Sequence, residues 1–270
     1  RTATRPRLGP TTHWELAMSE KFGSDLIADL IGAHGFEFIA INPGASWRGL
    51  HDSLVNYADP MPELIVCTNE KIAVNMAHGW AKVTGRPGIA IIHNVVGLMQ
   101  GTMGLYTAYV DQAPVIVLGG TGPVAVGERR PHIEWVHTAF SQGELVRDFV
   151  KWDDQPTDAV GVVDGFVRGY QRATTEPMGP VYFCYDLGYQ ERRLEDVPPL
   201  MVHTPSRRDF AIDGTTAEEI ADALLGAASP ALVAGRVGRT REGSDALTEL
   251  AELIGAKVYD VNWRYNISNT

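Results

Sequence analysis

Short apolar runs almost free of polar alternation punctuate the chain: FEFIAI (36–41), ELIVC (63–67), GIAIIH (88–93), PVIVLGG (114–120) and PVYFCY (180–185). Runs of this length without a period of two predict strands buried on both faces. Between them, Ser24 to Ala33, Glu70 to Val83, Gly97 to Val110 and Val160 to Ala173 show helical spacing or are rich in small residues. The succession predicts an α/β fold, a mostly parallel sheet covered by helices on both faces. In the second of these helices Ile72, Ala73, Met76, Ala77, Trp80 and Ala81 recur at intervals of three and four and predict its buried face.

After Tyr185 the text turns polar and proline-bearing, DLGYQERRLEDVPPLMVHTPSRRD, which reads as a linker. A second α/β unit follows: TTAEEIADALLGAA with Thr216 as cap candidate, the strand PALVAG, the helix REGSDALTELAELIG and the strand AKVYDV. The expected organisation is an extension over 1–18, a first domain over 19–187, a linker over 188–212 and an incomplete second domain over 213–270. A start on Arg1 suggests processing or preceding residues, and the end at NWRYNISNT reads as a cut through a domain.

Composition narrows the function classes. With 270 residues and 44% hydrophobic content the chain can bury at least one full core. A net charge of -10, from 33 acids against 23 basic residues, leaves no basic face for nucleic acid, and the pairs Arg129-Arg130 and Arg192-Arg193 read as solvated surface. Cys67 and Cys184 lie in apolar runs without metal-ligand spacing, so they read as small hydrophobes in a reducing compartment, and no metal ligand is expected in the chain. No apolar stretch is long enough to span a bilayer and no secretory leader is visible, so a cytoplasmic location with no membrane partner is expected.

Chemistry-bearing residues collect at the ends of the apolar runs. Glu70 opens a helix just after one strand, where an acid complements the helix dipole or serves chemistry. Asn42, Pro43 and Gly44 form a turn after the first strand, and Ser46 caps the next helix or faces a ligand. His93-Asn94 ends another strand, with His93 either a satisfied core residue or a proton carrier in a cavity. Gly97, Gly101 and Gly104 let the following helix approach a neighbour or a ligand closely, and Gln112 sits in a DQAP turn. His132 and His137 lack the spacing of a metal pair and read as packing or channel-lining residues. No P-loop or G-x-G-x-x-G fingerprint follows a first strand, and AGRVGR around Arg236 is too short to indicate a flavin or nucleotide.

From Ser19 to Asp186 the ordered motifs LIADLIGAHGFEFIAINPG, Glu70 with AVNMAHGWAKVTGRPG, GLMQGTMGLYTAYVDQAPVIVLGG and GPVYFCYD resemble the pyrimidine-binding domain of thiamine-diphosphate-dependent enzymes of the acetolactate synthase and benzoylformate decarboxylase superfamily. The resemblance implies thiamine diphosphate and Mg2+ as cofactors, with the cation and diphosphate held by a further domain that has no counterpart in these residues. It implies that Glu70 hydrogen-bonds the aminopyrimidine and is catalytic, with Pro43, Gly44 and Gly97 beside the cofactor. It likewise implies that His93 handles protons, and that Ser46, Asn94 and Gln112 lie on the substrate side. HNVVG stands where acetolactate synthases carry threonine-serine-glycine-proline-glycine. The departure weakens a strict acetolactate synthase assignment; a 2-oxo acid decarboxylase of benzoylformate-decarboxylase type is the reading the resemblance favours, with an acetolactate-synthase-like carboligase, a 2-hydroxyacyl-CoA lyase or a non-catalytic subunit as alternatives. A second subunit completing the active site, in a homodimer or homotetramer, is the partner the resemblance implies.

Overall fold

The computed structural model describes residues 20–60, 62–130, 134–205, 211–261 and 265–267. In chain order the first part comprises α1 (Gly23–Ala33), β1 (Phe38–Ile41), α2 (Arg48–Asp52), β2 (Glu63–Val66), α3 (Glu70–Thr84), β3 (Gly88–Ile92) and α4 (Val95–Val110). It continues with β4 (Val115–Thr121), α5 (Glu134–His137), β5 (Trp152–Asp154), α6 (Ala159–Thr174), β6 (Val181–Asp186) and α7 (Leu187–Gln190). The second part holds α8 (Gly214–Gly226), β7 (Ala231–Ala234), α9 (Arg241–Ile254) and β8 (Lys257–Asp260).

The six strands of the first part form one parallel sheet in the order β2-β1-β3-β4-β6-β5. Alternate residues of each strand face opposite layers. Ile89, Ile91, Ile116, Leu118 and Phe183 pack with α1 and α6, while Ala90, Ile92, Val115, Val117, Tyr182 and Cys184 pack with α3 and α4. Burial on both sides explains why these strands read as unbroken apolar runs. The two edge strands are the exceptions: β2, expected from its apolar run to be buried on both faces, is half exposed, and β5 is a half-buried strand whose sequence, Trp-Asp-Asp, carries no apolar run to betray it.

The buried face of α3 differs from the periodicity reading. Ala73, Val74, Ala77 and Ala81 are buried, whereas Ile72 is exposed and Met76 and Trp80 are half-buried. The reason is that α3 has two neighbours: its alanines meet the sheet, and Val74 turns toward α4, where Gly104 has no side chain. A Cβ on Gly104 would fall 2.8 Å from the Cβ of Val74. The opposite face of α4 leaves Val96, Met99, Met103, Tyr106 and Tyr109 exposed.

Residues 187–194, where composition places the start of a linker, lie on the first sheet unit. Gln190 is buried, Phe22 and Arg193 form an antiparallel bridge, and Leu194 N–H donates to the Lys21 carbonyl at 2.8 Å. In the second part β7 and β8 pair in parallel, and the cap of α8 is Asp213 rather than Thr216, whose N–H and hydroxyl both donate to that carboxylate. Arg236 donates to the carbonyls of Val110 and Asp111 at the end of α4, and Arg239 reaches the Gln112 carbonyl and Glu176. The Asp111 carboxylate accepts from His78 at 2.9 Å and Lys82 at 2.7 Å, so one helix end ties α3, α4 and the second part together. Among the described residues no helix is long and apolar enough to cross a membrane.

Candidate active site

β1 lies between β2 and β3, so the chain leaves β1 to one side and returns past it to form β3. Connections departing in opposite directions from the carboxyl ends of adjacent parallel strands open a crevice, the usual ligand position in such sheets. The two segments that line it are Asn42 to Ser46 and His93 to Gly97. They are fastened to each other. Asn42 N–H donates to the Ile91 carbonyl at 3.0 Å, its side chain donates to the Cys67 carbonyl at 3.1 Å, and the buried Trp47 indole donates to the Ile92 carbonyl.

Ser46 Oγ and His93 Nδ1 are hydrogen-bonded at 2.9 Å. Ser46 therefore does not cap a helix. The cap positions of the Ala45–Trp47 turn and of α2 are Gly44 and Trp47, so Ser46 lies inside the turn and its hydroxyl points across the crevice. The Ser46 carbonyl accepts from the Gln190 side chain at 3.0 Å, which fixes the backbone behind the hydroxyl. Burial, and next the charge of His137, push the His93 imidazole below its ordinary pKa, with Glu70 opposing. An imidazole so placed is neutral at neutral pH and can either give or take a proton.

Glu70 is the first residue of α3, yet the cap is Asn69, whose side chain accepts from Lys71 N–H at 2.9 Å. The carboxylate is half-buried and has no hydrogen-bond partner among the described residues. Its Oε1 occupies space left by Gly97: a Cβ there would lie 2.7 Å from Glu70 Oε1 and 2.8 Å from His93 Cβ. Two further glycines clear room in the same way. A Cβ on Gly44 would come 2.5 Å from His93 Nδ1, and one on Gly120 would come 2.7 Å from Ser46 Cβ. Three absent side chains thus shape the space around Ser46, His93 and Glu70.

Asn94 is buried, and its Oδ1 has no partner among the described residues, as is true of Thr121 Oγ1 at the end of β4. Buried acceptors and donors left open are uncommon unless something else satisfies them. Pro43 is exposed at the mouth of the crevice. Gln112 is not part of it. That residue precedes β4 at the opposite, amino-terminal edge of the sheet, in a left-handed conformation with φ of 49°, and its carbonyl is held by Arg239. His137 does reach the crevice, with its ring centroid 5.9 Å from that of His93. His132 lies outside the described residues, among which no group of His, Cys, Asp or Glu is arranged to hold a metal.

Sequence reasoning did not find Gln190, Gln142 or Gly120. Gln142 is buried, donates to the Gly120 carbonyl at 3.2 Å and accepts from Tyr182. Both glutamines sit in single helical turns too short to show a period, Gln142 between Ser141 and Gly143 and Gln190 between Tyr189 and Glu191, and no local signal marks them.

Residues 22–145 match the family described as thiamine pyrophosphate enzyme, N-terminal TPP binding domain. The chain is similar to acetolactate synthase of Bacillus subtilis, 22% identical over 238 residues that make up 86% of this chain and 39% of that protein. It is also similar to benzoylformate decarboxylase of Pseudomonas aeruginosa, 25% identical over 158 residues, 57% of this chain and 28% of that one. Among solved structures, a candidate thiamin diphosphate-dependent enzyme from Mycobacterium smegmatis matches with a TM-score of 0.78 at 26% identity, covering 92% of this chain and 46% of its own. The chain spans less than half the length of each of these relatives.

Proposed function

Because the first sheet unit is an N-terminal pyrimidine-binding domain of the thiamine-diphosphate enzyme superfamily, related to acetolactate synthase and benzoylformate decarboxylase-like enzymes, we propose that the chain contributes the acid-bearing half of a thiamine-diphosphate site whose enzyme cleaves a 2-oxo acid next to its carboxylate. The observation that carries the reading is the Glu70 carboxylate, half-buried, without a hydrogen-bond partner among the described residues and given room by Gly97.

The residues fit the group. A carboxyl without a partner and the open Oδ1 of Asn94 suit a ring bearing N–H groups, and Gly44 and Gly97 leave space for its close approach. In this reading Glu70 and Asn94 hold the aminopyrimidine, while Pro43, Gly44 and Gly97 flank it. When bound, thiamine diphosphate supplies an electron sink that takes up the pair released as the carbon-carbon bond breaks. Glu70 holds and returns a proton at the pyrimidine ring nitrogen. The Ser46 hydroxyl, hydrogen-bonded to Nδ1, orients the His93 ring and leaves Nε2 outside that bond to carry the proton that is delivered. Delivery of that proton to the substrate carbon yields an aldehyde.

Residues outside these 270, from a further domain or a second subunit, supply Mg2+ and diphosphate contacts in this proposal. A second subunit covers the exposed apolar face of α4. The organisation it assumes is a pyrimidine domain over 19–187 with residues 188–194 packed on it, a connection over the remainder up to 212 and the start of a central domain over 213–270.

The test is a panel of 2-oxo acids offered to the full protein saturated with thiamine diphosphate and Mg2+, with carbon dioxide, aldehyde and acyloin products measured separately. Aldehyde release is expected, falling by about 10²–10⁴ in His93→Ala. Acyloin as the main product would favour the acetolactate-synthase-like alternative, and no release from any 2-oxo acid would end the decarboxylase reading.

A further inference from the structure

Ser46 stands one residue before a break in the helical path of the chain. The turn Ala45–Trp47 does not run smoothly into α2: Trp47, which ends the turn, has φ of -124° and ψ of 13°, away from helical values. In an unbroken helix the Leu50 N–H would donate to the Ser46 carbonyl four residues earlier. Here a side-chain amide reaches both groups. Gln190 Nε2 donates to the Ser46 carbonyl at 3.0 Å, and Gln190 Oε1 accepts from the Leu50 N–H at 3.4 Å. Gln190 is fully buried, and Ser46, Trp47 and Leu50 are buried around it. The amide is carried by α7, the single turn directly after β6, whose cap Asp186 also accepts from the Val124 N–H at 2.7 Å. Arg48 joins α2 to α7 as well, donating to Glu191 at 2.7 Å, but that pair is exposed and contributes little.

We propose that Gln190 is a positioning residue for the proton carrier of the crevice. By taking the Ser46 carbonyl and the Leu50 N–H on the two ends of one amide, it holds the break at the angle that brings the Ser46 hydroxyl to His93 Nδ1. Through that bond it sets the His93 ring. Without the amide, the two backbone groups satisfy each other, because leaving a buried N–H and a buried carbonyl open is costly. The turn and α2 then join into one helix, and Ser46 rotates out of reach of His93. The proposal deepens the reading of His93 as a proton carrier and rests on it, but its first test does not require turnover.

Ring nitrogen NMR signals of His93 in the full protein, assigned by their loss in His93→Gln, report the hydrogen bonding of that ring directly. Gln190→Met removes both amide contacts while nearly conserving volume, and should move the His93 signals to the positions they take in Ser46→Ala. Gln190→Leu removes the same contacts with a different shape and should act alike, which guards against a folding defect peculiar to the methionine variant. His93 signals unchanged from wild type in either folded variant overturn the proposal. In turnover, aldehyde release should fall about 10- to 100-fold in Gln190→Met. The same change made in the Ser46→Ala background should cost less than about twofold, since its effect passes through Ser46. An equal fall in both backgrounds also overturns the proposal. Failure of the functional reading shows separately, as no aldehyde release from wild type while the His93 signals still move.

Discussion

Replacing Gly97 by alanine sets two effects of known sign against each other. In a helix the change gains at most about 1 kcal/mol of propensity. At Gly97 the added methyl falls 2.7 Å from Glu70 Oε1 and 2.8 Å from His93 Cβ, and the second of these atoms is anchored to the backbone and cannot swing aside. Overpacking of this kind costs about 1–3 kcal/mol. The net expectation is a loss of about 0–2 kcal/mol together with displacement of the Glu70 carboxylate. Gly79 supplies the control: it lies in α3, is exposed and has nothing within 4 Å of where a Cβ would stand. Gly79→Ala should therefore stabilise by about 0.5–1 kcal/mol. Urea unfolding of the full protein compares the two, and calorimetric titration with thiamine diphosphate and Mg2+ reads the site. Gly97→Ala is expected to bind at least about tenfold more weakly, a loss of about 1.4 kcal/mol, with Gly79→Ala unchanged. Equal stabilisation by both substitutions, with wild-type affinity in both, would refute the claim that Gly97 makes room for the acid.

Asp111 gives a pH prediction. Burial alone would raise its carboxyl, but hydrogen bonds and charge from Lys82 and then His78 hold it below the ordinary range. A depressed folded pKa means a stabilisation fully present above the unfolded value of about 3.9 and lost as pH falls through the folded pKa, so wild type should lose this contribution below about pH 4. Asp111→Asn should be less stable at neutral pH and lack that acid slope, as urea unfolding at several pH values will report; identical slopes would contradict the assignment. The thiols should be inert in the native state. Burial pushes Cys184 up to about 12 and raises Cys67, so neither should react with an aromatic disulfide reagent at about pH 8 until the protein is unfolded, and prompt native reaction at Cys184 would contradict its burial.

Much of the sheet was legible because doubly buried strands must be apolar throughout; β1, β3, β4 and β6 fall within a residue or two of the runs that announced them. β5 escaped because an edge strand of Trp-Asp-Asp has no such obligation. The face of α3 was read only in part: Ala73, Ala77 and Ala81 are buried as expected, but periodicity reports one apolar stripe while this helix packs on both the sheet and, through Val74, α4. At the site, strand-end position drew attention to Glu70, Ser46 and His93, and the fold brings them together around one crevice. Gln112 was placed with them by resemblance, yet the direction of β4 puts it at the other edge of the sheet. The pairing of His137 with His93 depends on how a long connection folds back, which no local pattern records.

The central claim is that Glu70 carries a proton for the cofactor rather than a charge for a helix end. Glu70→Gln is nearly isosteric, leaves the Asn69 cap intact and removes only the ability to exchange that proton. The direct measurement is exchange of the thiazolium carbon proton with deuterium, followed in the assembled, cofactor-saturated protein with Mg2+. Loss of one positioned acid-base group costs about 10²–10⁴ in rate, and a decrease of that size is expected with little change in unfolding midpoint. Wild-type exchange in Glu70→Gln, accompanied by modest destabilisation from the lost charge at the dipole, would contradict the account and return Glu70 to the start of a helix.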